Sequence, residues 1–464
     1  MGTTASVFIC YTASIFIIAI KAYGVTHDRK GFLLSNRDLP SWRAALSAGA
    51  SDMSGWLLMG LPGLAFVASD EATYLALGLA IGTWLNWKFV AARLRENTIA
   101  YHDALTLPTY FANRYQDTAR AFRIVTAITI LIFYLMYLSA GMVAAAKLFV
   151  AVFDLNYLSA LLIGASIVIS YTMLGGFRAV VNTDALQAVM MICALAATSF
   201  LLIDATRRSG LQPIEIVPFS GTLNVVAIVS ALAWGLGYPG QPHILARFMA
   251  TRNKTEIAAA GRIAVTWTFI CLLAAITIGY TASLHPELGS YAGDAERIFV
   301  IASQLVFHPV IAGLVTAAIL AAIMSTADSQ LLVAASALYH DLFPQRATQQ
   351  SPQAWLRGIR VITGFLGTVS VIFAANPDSS VLGIVAYAWA GFGASFGPAI
   401  IFSLYAEKIS GMAVLAGMVS GAVTVVVWEI YPLFLPEIYS LVPGLAANLL
   451  ITGLCTSIVR ANRR

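Results

Sequence analysis

Long apolar stretches alternate with short polar connections along the whole of this 464-residue chain. A helix needs about 20 mainly apolar residues to cross the hydrocarbon core of a bilayer. Thirteen segments suit such spans, with ends defined to within several residues: near 4–23, 42–67, 73–93, 122–152, 157–176, 183–203, 224–241, 259–283, 298–338, 357–375, 380–405, 411–431 and 440–459. The stretch 298–338 is longer than one span and is expected to begin with a surface helix. The pattern predicts an all-α polytopic membrane protein.

The composition supports the same class. Hydrophobic residues make up 59% of the chain and charged residues only 11%, whereas a soluble domain carries about 25% charged residues. The stretch 4–23 exceeds the apolar core of a signal peptide and has no basic stretch ahead of it, so we expect a retained span. The polar stretches near 21–43, 94–121 and 339–357 are too short for a soluble domain. The sequence therefore predicts one transmembrane domain over 1–464 and argues against a cytosolic catalytic module.

Lysine and arginine residues are distributed unevenly between the two sets of alternate connections. One set, together with the C-terminus, holds 23 of the 27, among them Arg37, Lys88 and Arg247. Because positively charged residues mark the cytoplasmic side, we expect the N-terminus outside and the C-terminus inside, which requires an odd number of spans. The net charge of +5 thus indicates orientation and not nucleic-acid binding.

Cysteine and histidine give no sign of a metal centre. The four cysteines lie inside apolar segments without a CxxC spacing, which argues against disulfides and thiolate metal sites. The six histidines are scattered without the spacing of a ligand pair.

Two of the apolar segments contain signs of a broken helix. Residues 47–63 read SAGASDMSGWLLMGLPG, and residues 234–242 read WGLGYPGQP. Prolines remove backbone donors and glycines loosen the backbone. Interrupted segments at corresponding positions of two halves are the pattern of a transporter with inverted repeats and a substrate site at mid-membrane. The halves are expected over 42–203 and 224–405.

The predicted breaks also indicate what binds. Non-helical backbone is tolerated at membrane depth only where it lines a cavity or is buried in protein. Freed carbonyls there can coordinate a small hard cation, and freed amides at the start of a half-helix attract a carboxylate. The pattern favours an amino-acid substrate and sodium as the coupling ion.

Other polar groups lie inside predicted spans. Ser325 and Thr326 are adjacent hydroxyls in AAIMSTADSQ; they either bond to carbonyls one turn back or, since Asp328 follows closely, belong to a functional site. Tyr137, one turn after Tyr134, is either a packing residue or part of a cavity. Asp184 either caps the sixth span or has an ion-linked role.

Five motifs give the chain a family resemblance: SAGASDMSGWLLMGLPG, LGGFRAV, WGLGYPGQPHILARFMA, LAAIMSTADSQLL and AYAWAGFGASFGP. The chain resembles the sodium/solute symporter family, specifically its bacterial sodium/proline symporter branch, over nearly its whole length. The resemblance implies a leucine-transporter-like five-plus-five inverted repeat with about 13 transmembrane helices. The segment 4–23 would then be an extra first span, and 411–459 would hold two C-terminal spans.

The resemblance also implies a function and a set of site residues. It implies a non-enzymatic importer of L-proline in the bacterial inner membrane, driven by inward sodium flow through alternating access, with Na+ as coupling ion and no cofactor. The implied sodium ligands are the carbonyls of Ala50, Met53 and Ala322 and the hydroxyls of Ser325 and Thr326, with Asp52 as a direct or indirect contributor. The implied substrate residues are Ser54, Gly55, Tyr137, Trp234, Tyr238 and Pro242, and those for coupling and gating are Arg37 and Asp184. Pro239 stands where one relative in the family is expected to carry a bulky residue, and this difference is expected to alter the local bend and the aim of Tyr238.

Three alternatives stay open at this point. The same machine could carry another small amino acid or carboxylate, or use protons. An ion channel would need a continuous pore with a filter sequence, which two broken helices do not favour. A transporter-like sensor is disfavoured by the short tail ANRR. The oligomeric state is left open.

Overall fold

The computed structural model describes residues 2–23, 28–174, 176–211, 224–344, 349–431 and 438–461. Over these residues the regular secondary structure is helical, apart from a single parallel bridge between Leu39 and Thr251. The positively charged residues Arg346, Arg463 and Arg464, which entered the orientation argument, lie outside the described residues.

Nineteen α-helices are numbered here along the described chain. Their bounds are α1 Gly2–Tyr23, α2 Arg29–Leu34, α3 Ser41–Asp52, α4 Leu61–Val67, α5 Ser69–Leu85, α6 Ala92–Ala100, α7 Leu107–Arg114, α8 Ala119–Phe153, α9 Tyr157–Leu174, α10 Phe177–Arg208, α11 Val225–Ala233, α12 Pro242–Ala250, α13 Lys254–Ser283, α14 Ile298–Val306, α15 Pro309–Ser336, α16 Pro352–Phe373, α17 Val381–Tyr405, α18 Gly411–Ile430 and α19 Leu441–Ala461. A π-helical stretch, Asn86–Ala91, joins α5 to α6 without a break.

Nine helices within the described residues are long and apolar enough to cross a membrane. Large apolar side chains cover much of their outer surface; Phe200 and Ile372, for example, are 72% and 71% exposed. Water would penalise such a surface, whereas lipid does not. The prediction of an all-α polytopic membrane protein is therefore confirmed.

The second apolar segment is broken, as predicted. The helix α3 ends at Asp52, and Met53 leaves the helical region with φ −88° and ψ 80°. The chain then resumes as a π-helical turn, Trp56–Gly60, that continues into α4.

The seventh apolar segment is broken as well. Between α11 and α12 the chain forms a 3₁₀ stretch, Trp234–Gly240, and Gln241 is extended. Pro242 then opens α12, where its missing amide costs no helical hydrogen bond.

The predicted stretch 298–338 divides in two. Phe307 adopts φ −111° and ψ 150°, which ends α14 before α15 begins. The helix α15 then runs through the centre of the molecule and packs against α1, α3, α8 and α10. It brings Ser325 and Thr326 to the broken end of α3, while α18 and α19 pack against each other and against α17.

Candidate functional site

The break after α3 changes the partner of one carbonyl. In an uninterrupted helix the Ser54 amide would donate to the Ala50 carbonyl. Here it donates to the Asp52 carbonyl at 3.2 Å, while the Met53 amide still donates to Gly49 at 2.9 Å. The last helical hydrogen bond thus ends at Gly49, and the buried Ala50 carbonyl needs a partner from elsewhere.

Two hydroxyls of α15 supply that partner. Ser325 Oγ donates to the Ala50 carbonyl at 2.7 Å, and Thr326 Oγ1 lies 3.4 Å from it. Ser325 Oγ is also 3.0 Å from the Ala322 carbonyl one turn back. The hydroxyl therefore contacts a carbonyl of its own helix as well as the freed carbonyl of α3. Met53 lies at the helix break and is fully buried. Four of the five oxygen ligands implied for sodium therefore lie together here: the carbonyls of Ala50 and Ala322 and the hydroxyls of Ser325 and Thr326.

Asp52 faces the second broken segment. Its Oδ2 accepts a hydrogen bond from the Tyr238 hydroxyl at 2.8 Å, and its backbone carbonyl accepts one from Trp56 Nε1 at 2.9 Å. Among the described residues its Oδ1 has no hydrogen-bond partner, although it is buried. Pro239 follows Tyr238 directly, and the tyrosine still reaches Asp52. The pair joins the two broken helices across the centre of the molecule.

Aromatic rings form a wall beside this pair. Trp234 lies 6.4 Å from Trp56 and 6.4 Å from Trp389, measured between ring centroids. Trp389 Nε1 donates to the Trp234 carbonyl at 2.8 Å, which satisfies backbone freed in the 3₁₀ stretch. Tyr238 meets Trp389 edge to face at 5.0 Å. On its other side Trp234 stacks on Tyr439 at 5.2 Å with the planes 17° apart.

A pocket of about 420 Å³ leads to this wall from one end of the molecule. Trp234 and Tyr439 line it together with the ends of α4, α5, α17 and α18, including Glu71 and Glu429. By the predicted topology this end faces the outside. Trp234 is thus reachable from this pocket, while Tyr439 covers part of its ring.

Three more predicted substrate residues lie at the first break or beside it: Ser54 and Gly55 in the chain after α3, and Tyr137 on α8. The Tyr137 hydroxyl is buried beside Ser54 without completing a hydrogen bond to a described residue. Gly55 lies against α8, where an added Cβ would come within 2.7 Å of the Ala144 Cβ. Only glycine fits this contact, which keeps the broken helix close to α8.

Pro242 lies apart from the aromatic wall. It lines a small cavity of about 30 Å³ together with Leu34, Leu107 and Phe177. Its position at the start of α12 makes it part of the break, but the cavity it touches is formed with α2, α7, α10 and α15.

Asp184 belongs to a buried ion pair and not to a helix cap. The helix α10 begins after Gly176, so Asp184 lies two turns inside it. Arg247 Nη2 lies 3.0 Å from Asp184 Oδ2, and both side chains are fully buried. Ser47 donates to the same oxygen, and Arg247 also donates to Ser47 and Ser329. This network ties α3, α10, α12 and α15 together.

Arg247 was wrongly assigned to a cytoplasmic connection. It lies inside α12 with 0% exposure, and its charge is neutralised within the protein. It therefore gives no information on orientation. An arginine among apolar helix positions is costly in a membrane unless it is paired. Arg247 stands among apolar residues in HILARF, and this pattern could have indicated a buried, paired arginine.

Two other polar residues in the spans are also buried. Asp328 Oδ1 accepts a hydrogen bond from Ser329 at 3.3 Å, while its Oδ2 has no partner among the described residues. Tyr134 lies 3.0 Å from His243 Nδ1, and its hydroxyl also accepts from the His243 amide at 2.9 Å. Tyr134 thus fixes the start of α12.

Arg37 lies at the end of the molecule opposite to the pocket above Trp234, where its contacts hold several segments together. Its guanidinium donates to the Met249 carbonyl at 2.7 Å, to the Ala104 carbonyl at 2.6 Å and to Asp103 Oδ1 at 2.8 Å. Lys30 reaches the other oxygen of Asp103 at 2.6 Å. Burial lowers the pKa of Arg37, and the charge of Asp103 partly offsets that effect. These contacts join the ends of α6 and α12 to the connection before α3.

The family model for the sodium:solute symporter family matches residues 32–421 of this chain. The chain belongs to the sodium:solute symporter family. The match includes both broken helices, the α15 hydroxyls and the Asp184–Arg247 pair, so these features of the symporter fold lie within the family's common region.

Curated relatives of this symporter family member align over almost its full length. A protein named sodium/proline symporter from Salmonella typhimurium is 43% identical over 452 residues, covering 94% of this chain and 89% of the relative. The sodium/proline symporter of Escherichia coli shows the same identity and coverage. The high-affinity proline transporter PutP of Bacillus subtilis is 39% identical over 446 residues, covering 94% and 93%.

Solved structures support the symporter fold. A substrate-bound, outward-open Na+-coupled sialic acid symporter superposes with a TM-score of 0.77 at 15% identity, covering 98% of this chain and 97% of that one. The nucleobase-cation-symport-1 transporter Mhp1, closed around bromovinylhydantoin, gives a TM-score of 0.56 at 14% identity, covering 90% and 92%. At these identities the similarity concerns the fold alone.

Three aromatic residues of the symporter's wall were missed. Trp56 lies within SAGASDMSGWLLMGLPG, where no role was assigned to it. Trp389 lies within AYAWAGFGASFGP, a motif that carried the resemblance without any residue of it being assigned a role. Tyr439 lies between α18 and α19, outside every motif, and nothing in its local sequence signals a contact with Trp234.

Proposed function

We propose that this chain imports L-proline together with sodium, by alternating access, across the inner membrane of a bacterium. One observation carries the proposal: the Ala50 carbonyl, freed by the break in α3, meets the hydroxyls of Ser325 and Thr326. Membership of the family and the names of two relatives at 43% identity, both sodium/proline symporters, support this choice of substrate and ion.

Thirteen spans, N-terminus outside and C-terminus inside, remain the proposed topology. In the part of the chain that the structure describes, four shorter apolar helices accompany the nine long ones, at Ser6–Ile18, Trp56–Val67, Tyr157–Met173 and Val225–Gly240. Each coincides with a predicted segment that the nine leave unmatched. The breaks after α3 and α11 then occupy equivalent places in the repeats 42–203 and 224–405, preceded by 4–23 and followed by 411–459.

The proposed sodium site uses the carbonyls of Ala50, Met53 and Ala322 and the hydroxyls of Ser325 and Thr326. Unwound carbonyls next to a half-helix are the ligands that suit Na+ in such transporters. The hydroxyl hydrogens that now point at Ala50 would rotate away, leaving oxygen lone pairs toward the cation. Asp52 lies beside the site and directs its carboxylate to Tyr238, which favours an indirect role.

The proposed substrate site lies between the two breaks. The positive end of the helix that resumes after Ser54 and Gly55 would attract the proline carboxylate. The Trp56 and Leu57 amides there donate to Ser54 and would turn to the carboxylate when it binds. Trp234, Tyr137 and Tyr238 would supply apolar walls for the ring. The pocket above Trp234 provides the outer approach, and Pro242 lies on the inner side of the break.

Coupling is proposed to pass through the Asp52–Tyr238 hydrogen bond, because it connects the ion-side break to the substrate-side break. The unit that rocks comprises α3–α4, α5–α6, α11–α12 and α13. The Arg37 contacts join the connection before α3 to α6 and α12 within this unit, and we propose that they hold together its inner end, where the gate lies. The Asp184–Arg247 pair crosses between the unit and its scaffold. Each ligand would favour binding of the other by about 1–3 kcal/mol.

Uptake of labelled proline into liposomes containing the purified chain tests the proposal. An inward sodium gradient should drive accumulation, and a proton gradient at equal sodium should not. Accumulation that ignores sodium would contradict the coupling ion. Absence of proline uptake, with another small amino acid or carboxylate accumulating under the same gradient, would contradict the substrate.

A further inference from the structure

A groove of about 660 Å³ opens on the outer surface of two candidate spans, between the α5–α6 helix and α13. Gly261 lets Trp87 approach α13 closely at its base, since an added Cβ would lie 3.3 Å from the Trp87 Cβ. Trp84, Ile257 and Val265 add apolar lining. The volume is within the usual range of ligand pockets, and the setting in the spans makes lipid the surrounding medium.

Three cations line the same groove: Lys88, Lys254 and Arg262. Lys88 Nζ is held 4.5 Å above the centre of the Trp84 ring. Among the described residues, neither Lys88 nor Arg262 forms an ion pair. Lys254 pairs with Glu96 at 3.3 Å, with both side chains more than half exposed. The groove therefore carries excess positive charge above an apolar base.

From this arrangement we infer that the groove binds an anionic phospholipid, with its phosphate between Lys88 and Arg262 and an acyl chain against Trp84 and Val265. Basic pockets between spans on the cytoplasmic side suit anionic headgroups, and the proposed topology puts this end in the cytoplasmic leaflet. Phosphate would neutralise charges that are otherwise costly beside lipid. Both walls belong to the proposed rocking unit, so the lipid would remain bound through the transport cycle.

Native mass spectrometry of the full chain, titrated with phosphatidylglycerol or phosphatidylcholine, tests the inference. Wild type should bind phosphatidylglycerol more tightly. Lys88→Gln combined with Arg262→Gln should weaken that binding by about 5-fold for each cation removed, or about 25-fold together. Phosphatidylcholine binding should change little.

Two further variants separate a defined groove from general attraction to a basic surface. Arg120→Gln with Lys408→Gln removes the same charge from exposed positions outside the groove and should leave phosphatidylglycerol binding unchanged. Ala258→Trp fills the exposed face of the groove without removing a charge and should weaken it. Equal weakening by the control pair, no effect of Ala258→Trp, or no preference between the lipids in wild type would each overturn the inference.

Discussion

At the scale of single residues, one displaced hydrogen bond defines the ion side of the site. The Ser54 amide turns to Asp52, so the Ala50 carbonyl becomes available to Ser325 and Thr326. The sequence indicated the break through its glycines and serines. The freed carbonyl is set by the position of the last helical hydrogen bond, from the Met53 amide to Gly49. The glycine and serine content of the segment does not determine that position.

Removing both hydroxyls with Ser325→Ala and Thr326→Ala should raise the sodium concentration for half-maximal uptake at least tenfold. The two alanines leave the proposed ion with carbonyls only. Thr316→Ala is the matched control, since Thr316 lies on the same helix and its hydroxyl donates to the Ala312 carbonyl one turn back, at 2.8 Å. Sodium dependence of proline uptake is the measurement. A double variant that behaves like Thr316→Ala would exclude these hydroxyls from the ion site.

Asp103 provides a prediction about pH. Burial alone would raise the pKa of Asp103, but hydrogen bonds and charges from Lys30 and Arg37 outweigh it and hold the pKa below its usual value. A carboxylate with a lowered pKa adds stability above its unfolded pKa, about 3.9, and loses it as the pH falls through the folded value. Since the side chain is 42% exposed, screening should keep this contribution under about 1 kcal/mol.

The melting temperature of wild type should therefore exceed that of Asp103→Asn by a constant margin between about pH 5 and 8. The margin should begin to shrink near about pH 4 and should vanish only when the pH has fallen below the lowered pKa of Asp103. Asp378→Asn, at an exposed position outside the network, should show no such margin. A margin that grows on acidification would mean that Asp103 is destabilised, not stabilised, by its neighbours.

At the scale of elements, glycine and proline patterns predicted both broken helices, because these residues act through the backbone and leave a local signal. Contacts between residues far apart in the chain left weaker signals in the sequence. Arg247 was assigned to a connection because charge alone suggested solvent, and only folding shows that Asp184 reaches it. The cap interpretation of Asp184 failed for a related reason, since α10 begins two turns earlier.

The glycines of the second break also serve packing between elements. The 3₁₀ stretch passes so close to α5 that a Cβ at Gly235 would overlap the Gly78 carbonyl oxygen. Gly235→Ala should therefore destabilise the protein by about 1–3 kcal/mol, as overpacking does elsewhere. Gly289→Ala, where an added Cβ would meet nothing within 4 Å, is the control. Thermal unfolding in detergent gives the melting temperature of each variant. Equal melting temperatures would show that the close approach of Gly235 to Gly78 contributes little to stability.

At the scale of the whole molecule, the helices α18 and α19 lie outside the proposed ten-helix core, yet Tyr439, just before α19, stacks on Trp234 of the second break. The Tyr439 hydroxyl donates to the Ala386 carbonyl at 2.8 Å, and the Tyr439 amide donates to Ser230 Oγ at 3.0 Å. Trp428 Nε1 donates to the Ile438 carbonyl at 3.1 Å. These bonds fix the ring of Tyr439 over Trp234, so the C-terminal pair contributes to the outer wall of the proposed substrate site.

Removal of that ring should weaken the binding of proline more than the folding of the protein. Tyr439→Ala exposes Trp234 to the outer pocket and should raise the half-saturating proline concentration about 2- to 10-fold, the equivalent of losing one aromatic pair. Tyr439→Phe keeps the stack and should stay within about 2-fold of wild type. Tyr431→Ala, which removes a 64% exposed ring near the end of α18, controls for loss of a tyrosine. If Tyr439→Ala transports proline like Tyr431→Ala, α18 and α19 support the fold without shaping the substrate site. If only Tyr439→Ala loses affinity for proline, these helices outside the repeats help to determine the affinity for the solute.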